Sequence, residues 1–426
     1  MRTFLVVLLG QFVSQLGSQL TRFVIGVWVF QKTGSTTQFS LISFFIFVPQ
    51  ILVLPFAGVL VDRWDRRRVM ILADTGAGMT TLALFALVLN EQLTVGWIYA
   101  LVGLGSVCGA FQNPAFTAST VLLVPKENLT RANGAAELSN SLALMAAPMS
   151  AAFLLDVLEL SGVILLDVLS FLFAVGILLA VRIPRPVPQA GAEARSWRED
   201  VLYGWSYLWR RQALLALLIL FAAVNLFLGM VQVALTPLVL SFASARELGV
   251  VLSTATAGAV TGGVIVTVWG GPRRGRMRLI FMALAFQGMT LFFGGVRPSV
   301  PLVAGVAFTY SFCLPLVLAN SQAIWQTKVA PEVQGRVFAI RRLVAYSTLP
   351  IAYLAVGPLT DHLLEPWLAP GGLLASSVGN WIGVGAGRGV GLLLIGIGAA
   401  TLLLLAAGYA YRPLRNLEEE LEDAVQ

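Results

Sequence analysis

A line of polar side chains runs along one face of the first apolar stretch of this sequence. Its members recur at helical spacing: Gln11, Gln15, Ser18 and Arg22. Residues spaced by three or four positions share one side of an α-helix. If the helix crosses a membrane, such a side must face protein or a water-filled cavity. The stripe therefore predicts a substrate cavity, and hydrogen bonding between packed helices is the alternative.

A second polar stripe lies in the stretch that opens the second half of the chain. It consists of Asn225, Gln232 and Thr236. Together the two stripes contain neutral amides, hydroxyls and one arginine, Arg22. This combination suits a sizeable amphipathic or weakly anionic organic molecule, because it can orient the molecule by hydrogen bonds. A bare metal cation would need several carboxylates. We expect this stripe to line the cavity as well.

Two opposite charges occur at similar depth in separate apolar stretches. Arg22 and Asp167 are the residues concerned. A charge inside a membrane is costly, so each is a hypothesis about function. The two predict either a buried ion pair or a proton site. Asp74 and Glu137 lie nearer the ends of their stretches, and we expect them to pair with arginines of the connecting loops.

The sequence lacks the residues that other energy sources and reactions require. There is no Gly-rich phosphate-binding loop for ATP. One histidine, His362, and two separated cysteines do not form a typical metal site. We therefore predict no catalytic residues, no cofactor, no metal and no enzyme activity.

The elements that position these side chains are apolar runs. Hydrophobic residues make up 58% of the 426 residues, charged residues 12%, and the mean hydropathy is +0.84. A membrane-spanning helix needs roughly 20 apolar residues. Runs of that length lie at about 4–30, 36–61, 69–90, 94–120, 134–158, 161–181, 213–240, 248–270, 279–296, 300–326, 337–360 and 389–411. The pattern predicts an all-α, multi-pass protein of the cell membrane with twelve transmembrane helices.

Basic residues predict the orientation of these helices. Most of the 28 Lys and Arg residues lie near the termini or in alternate connections, counting Arg341 and Arg342 with the loop before the eleventh run. Positive charge stays on the cytoplasmic side, so both termini are expected inside. The positive charge also predicts contact with anionic membrane lipids. Nucleic acid is excluded as a partner because the charge is spread over short separate pieces.

The chain repeats itself at a shift of about 205 residues. The segment at 58–68 has an echo at 263–276, and Pro125 and Arg131 reappear as Pro331 and Arg336. Such a repeat predicts two pseudo-symmetric six-helix bundles with a binding site between them. The predicted parts are bundles at 1–181 and 213–411, a cytoplasmic linker with an amphipathic interfacial helix at 182–212, and a solvated acidic cytoplasmic tail at 412–426.

A charged motif follows the second apolar run. It consists of Gly58, Asp62, Arg63, Arg66 and Arg67. It resembles the cytoplasmic loop signature of the major facilitator superfamily, with Asp65 where that signature has a glycine. The resemblance implies a conformational latch at these residues, which forms in one state of the carrier and breaks in the other. Orientation of the loop by its positive charge is the alternative.

A second motif narrows the resemblance. The segment from Ala330 to Phe338, Ala-Pro-Glu-Val-Gln-Gly-Arg-Val-Phe, is similar to the branch that contains macrolide efflux proteins and the enterobactin exporter. The resemblance implies a secondary transporter that exports small organic molecules such as drugs, siderophores or other natural products by alternating access. Since no ATP-binding loop is present, either an ion gradient, with proton antiport as one form, or the substrate gradient alone is expected to drive it, and we expect a monomer. An importer or facilitator of the same fold, and a flippase for amphiphiles or lipids, are the alternatives.

Overall fold

The computed structural model describes residues 2–125, 128–181, 205–272 and 274–421. They form a helical protein. The long helices are α1 (Arg2–Thr33), α2 (Thr36–Arg63), α3 (Arg66–Leu89), α4 (Val95–Leu123), α5 (Leu129–Ala180), α6 (Gln212–Leu240), α7 (Ala245–Trp269), α8 (Arg276–Val296), α9 (Val300–Lys328), α10 (Pro331–Pro358) and α13 (Arg388–Ala410). A π-helical turn at Leu359–Leu364 continues α10, and four short helices complete the set: α11 (Glu365–Trp367), α12 (Gly379–Ile382), α14 (Arg412–Arg415) and α15 (Leu417–Glu420).

Within the described ranges, eleven helices are long and apolar enough to cross a membrane. The 52-residue α5 covers both the fifth and the sixth predicted runs. Glu159, which lies between those runs, has φ 56° and breaks the helical conformation. The all-helical membrane fold predicted from the sequence is confirmed. The number of twelve spans and the cytoplasmic position of both termini stay predictions.

The chain divides into two compact units. The first contains α1 to α5 and the first residues of α7, Ser244–Ser253. The second contains α6, the rest of α7 and all later helices. Residues 182–204, with most of the predicted interfacial helix, lie outside the described residues, so that helix and the domain boundaries stay predictions.

Close contacts between glycines hold α8 and α13 of the second unit together. A Cβ atom added to Gly398 would lie 2.6 Å from the carbonyl oxygen of Gly288, and Gly295 and Gly391 approach each other in the same way. Small residues let helix backbones approach closely in a membrane, where van der Waals contact replaces the hydrophobic effect as the main attraction between helices. The backbones of α8 and α13 therefore touch at two glycine pairs, with Leu402 and Ile395 packed beside them.

A glycine pair on α7 makes the analogous contact with α9. Cβ atoms at Gly258 and Gly262 would collide with the carbonyl groups of Phe308 and Phe312. We expect Gly262→Ala to lower the free energy of unfolding by about 1–3 kcal/mol, because backbone cannot move aside as a flexible side chain can. Gly263→Ala is the matched control, since a Cβ atom there meets nothing within 4 Å. Equal thermal stability of the two purified variants in detergent would contradict the packing described.

The described part of the acidic tail is folded rather than solvated, so that sequence-based expectation is wrong. Leu414 and Leu417 are buried in the core of the second unit. The carboxylate of Glu418 accepts hydrogen bonds from the backbone N–H groups of Arg276 and Met277, each at 3.1 Å. Lys328 donates to the carbonyl oxygen of Glu418 at 2.8 Å. The two leucines explain the docking, because they give the segment an apolar side.

Glu418 supplies the first turn of α8 with the acceptor that a helix N-terminus lacks. We expect Glu418→Gln to lower the free energy of unfolding by about 1 kcal/mol, because the neutral amide is a weaker acceptor toward these N–H groups. Glu419→Gln removes the same charge from the neighbouring exposed position and is expected to have little effect. Thermal unfolding of both variants measures the difference. A loss of the same size in both would mean that the capping contact adds nothing.

Candidate functional site

The polar stripe of α1 lines a pocket of about 600 Å³ in the first unit. All four members face it: Gln11, Gln15, Ser18 and Arg22. Helices α3, α4 and α5 contribute Asp74, Gln112, Glu137 and Asn140 to the same pocket. The helical spacing thus brings one face of α1 against polar groups of three further helices.

Three of these side chains form a hydrogen-bonded chain. Gln11 donates its amide N–H to the carboxylate of Asp74 at 3.0 Å. Gln112 donates to the side-chain oxygen of Gln11 at 2.6 Å. The side-chain oxygen of Gln112 is buried and has no hydrogen-bond partner among the described residues. Because a buried acceptor without a donor is costly, this atom is a place for a donor from a ligand or water.

Asp74 therefore differs from the sequence-based expectation. We expected it to pair with an arginine of a loop, but its carboxylate bonds to the amide of Gln11 and only 4% of the residue is exposed. Arg131 is exposed, and the side chain of Arg63 lies outside what the structure describes. The reason is helix rotation: Asp74 is on the side of α3 that faces α1.

A second amide pair crosses the same pocket. Gln15 of α1 donates to the side-chain oxygen of Asn140 on α5. Glu137, three residues earlier on α5, is exposed and lines the pocket. The pocket thus presents amides, hydroxyls, two carboxylates and one guanidinium, which can both donate hydrogen bonds to an organic solute and accept them from it.

Arg22 and Asp167 both face a smaller pocket of about 90 Å³. The Asp167 carboxylate lies 3.3 Å from the hydroxyl of Ser170 and 3.4 Å from that of Ser18. Thr81 of α3 is a further hydroxyl neighbour, at 3.5 Å. Only 1% of Asp167 is exposed. The ion pair and the proton site both stay predictions.

The second stripe is divided. Asn225 lines a pocket of about 270 Å³ in the second unit, together with residues of α9 and α10. Gln232 is exposed and Thr236 is buried, and neither lines this pocket. Arg341 and Arg342 do line it. The sequence analysis missed both arginines because it counted them with a loop, although they fall inside the eleventh apolar run, where a charge indicates function.

At the junction of α2 and α3, Asp65 and Arg67 form hydrogen bonds with the backbone at helix ends. Asp65 accepts a hydrogen bond from the backbone N–H of Arg67 at 3.0 Å and so caps α3, which explains an acid at this position. Arg67 donates to the last carbonyls of α5, to Leu178 at 2.7 Å and Leu179 at 2.6 Å. The side chains of Asp62 and Arg63, and the surroundings of Gly58, lie outside what the structure describes. The latch at these residues, Arg66 and Arg67 stays a prediction.

Comparison with known proteins identifies the superfamily of this chain. The family model of the Major Facilitator Superfamily matches residues 7–353, and the chain belongs to that superfamily. It is therefore a multi-pass protein of the cell membrane from a family of small-molecule transporters, not of enzymes.

Two sets of relatives are similar over most of their length. Macrolide efflux protein A of Streptococcus pyogenes is 27% identical over 377 residues, which are 87% of this chain and 93% of that protein. Multidrug efflux pump Tap of Mycobacterium tuberculosis is 23% identical over 346 residues, 78% of this chain and 81% of the relative. The resemblance to the macrolide-efflux branch is confirmed.

Solved structures agree on the fold. The nucleoside transporter NupG, as a D323A mutant, has a TM-score of 0.73 at 12% identity and covers 95% of this chain and 99% of its own. A bacterial homolog of the human lysosomal transporter Spinster has a TM-score of 0.71 at 13% identity, with 99% and 98% covered.

Proposed function

We propose that this protein exports amphipathic organic molecules across the cell membrane, and that the pocket of the first unit binds them. The observation that carries the proposal is the set of polar side chains from α1, α3, α4 and α5 around about 600 Å³ of space. Such a space suits a drug-sized molecule, since typical ligand pockets enclose roughly 300–1,000 Å³. The unpartnered oxygen of Gln112 supplies an acceptor for it.

The direction of transport is inferred from the relatives. The two similar sets are named for macrolide efflux and for multidrug efflux. Macrolides and other natural products that are partly apolar and carry hydrogen-bonding groups are the cargo class that we propose. Gln11 and Gln15 would orient such a cargo in the pocket of the first unit.

We propose proton antiport as the driving force, with Asp74 and Asp167 as the carboxylates that exchange protons. Both are buried, and their side-chain hydrogen bonds come from amides or hydroxyls rather than from cations. An ionised carboxylate in such surroundings is costly, and protonation removes that cost. A change in hydration of either group during transport would therefore load or release a proton. We further propose that the protein works as a monomer in contact with membrane lipids.

Uptake by everted membrane vesicles tests the proposal. We expect vesicles that contain the protein to accumulate a radiolabelled macrolide when their interior is acidified, and to lose it when a protonophore collapses the gradient. Vesicles from cells without the protein are the control. Accumulation only in right-side-out vesicles would establish import instead and overturn the proposal.

A further inference from the structure

The pocket of the second unit contains two adjacent arginines. Its lining includes Arg341 and Arg342 of α10, Gln322 of α9 and Asn225 of α6, and among the described residues no Asp or Glu lines it. Arg341 lies ten positions after Pro331, the first residue of α10, which is roughly 15 Å at about 1.5 Å per residue. The arginines thus lie well inside a helix that is long and apolar enough to span the membrane.

One of the two arginines is held in a fixed orientation. Arg341 donates to the side-chain oxygen of Gln322 at 2.7 Å and lies 3.5 Å from the hydroxyl of Ser321. Its guanidinium carbon lies 5.4 Å from the ring centre of Trp325, which is fully buried. A guanidinium has more N–H donors than these contacts use. The remaining donors are available to a ligand in the pocket.

Contacts within the protein do not explain why the second arginine, Arg342, is present in this pocket. Arg342 is exposed toward the pocket and forms no hydrogen bond or ion pair within the described ranges. Two neighbouring positive charges without a counter-charge repel each other, and the repulsion is strong where water is scarce. An anion in the pocket would relieve this repulsion, and the planar fork of an arginine matches a carboxylate or a phosphate.

We propose that Arg341 and Arg342 form an anion-binding subsite, and that the transported molecules include amphiphiles with a carboxylate or phosphate group. The inference rests on the proposed export of amphipathic molecules and names a chemical class within it. Arg341 binds the anionic group, Arg342 adds charge, and Gln322 positions Arg341. The anionic group comes either from the cargo or from the headgroup of a membrane lipid.

A matched pair of dyes tests the subsite. Rhodamine B carries a carboxylate, and its ethyl ester is the same cation without that charge. We expect Arg341→Gln to weaken binding of rhodamine B to the purified protein by at least about tenfold, the size of one lost charge-assisted hydrogen bond. Binding of the ester is expected to change by less than about twofold. Fluorescence anisotropy in a neutral detergent measures both affinities.

Three further variants separate charge from geometry. Arg341→Lys keeps the charge without the fork, and its loss of affinity for rhodamine B is expected to be intermediate. Arg297→Gln removes a charge from an exposed position outside the pocket and should leave both affinities unchanged. If Arg341→Gln does not fold, Arg342→Gln replaces it, because Arg342 makes no hydrogen bond that folding would lose.

The outcomes distinguish this inference from the proposed function. If Arg341→Gln lowers the affinity for both dyes equally, or for neither, the subsite is overturned. The proposed function would still stand if vesicles with the wild-type protein export the ester. Wild-type transport of neither dye would count against the proposed function and against this inference with it. If phosphatidylglycerol competes with rhodamine B, the subsite is supported and its anion is a lipid headgroup. If phosphatidylglycerol does not compete and Arg341→Gln weakens binding of rhodamine B alone, the anionic group belongs to the cargo.

Discussion

Replacing Asp74 by asparagine is expected to abolish gradient-driven export while leaving the protein folded. Asparagine has the shape of aspartate and still accepts the hydrogen bond from Gln11, but it cannot carry a proton. We expect uptake into acidified everted vesicles to fall by at least about tenfold, because coupled transport cannot proceed without the proton that Asp74 carries; a tenfold fall corresponds to about 1.4 kcal/mol in the barrier. Exchange of labelled for unlabelled cargo without a gradient is expected to persist, since exchange needs no net proton movement.

The matched control for this prediction is Asp156→Asn. Asp156 is an exposed acid on α5 that does not line the pocket, so the same change of charge should leave export intact. Wild-type uptake by Asp74→Asn would remove Asp74 from the coupling mechanism. Loss of exchange together with uptake, at unchanged thermal stability, would make Asp74 a residue for cargo binding instead.

Replacing Gln11 by leucine is expected to impair both stability and transport. Gln11 is the middle member of the chain that joins Gln112 to Asp74, so leucine removes one hydrogen bond from each of these two side chains. Loss of a partner by a group that is shielded from water costs about 1–3 kcal/mol. We expect a lower melting temperature in detergent and a KM for export raised by at least about tenfold, as one lost hydrogen bond in the pocket implies.

A double variant distinguishes a lost hydrogen bond from a badly packed leucine. Removing both partners of a buried hydrogen bond costs less than removing one. Gln11→Leu combined with Asp74→Leu should therefore recover part of the lost stability without recovering export. Gln326→Leu, the same substitution at an exposed position of α9, should change neither quantity. A double variant less stable than either single variant would contradict the network.

The sequence predicted the side of α1 that faces the pocket but not its partners. Helical spacing decides which residues of one helix share a face, so Gln11, Gln15, Ser18 and Arg22 could be grouped before the structure was known. Which residue of another helix meets them depends on the rotation and register of both helices. The positions of Asp74, Gln112 and Asn140 opposite this face of α1 are therefore visible only in the structure.

The surroundings of two pairs of charged residues could not be predicted, for physical reasons of the same kind. Arg22 and Asp167 have similar depths, but depth leaves the direction of each side chain open, and the hydroxyl groups that contact the Asp167 carboxylate are found only in the structure. Arg341 and Arg342 were counted as charges that set orientation, because the beginning of α10 reads as a loop in the hydropathy pattern. A rule that examines every charge inside a long apolar run would have found them.

Protection of a cysteine at Gln15 by cargo tests the central claim, that the pocket of the first unit binds what the protein exports. In a Cys108→Ser background, the Gln15→Cys variant is labelled with a thiol reagent with and without a transported macrolide, and Asn90→Cys, at an exposed position at the end of α3 and outside the pocket, is the control. We expect the macrolide to slow labelling at position 15 and to leave position 90 unaffected. Equal labelling rates at position 15 with and without saturating cargo would contradict the claim.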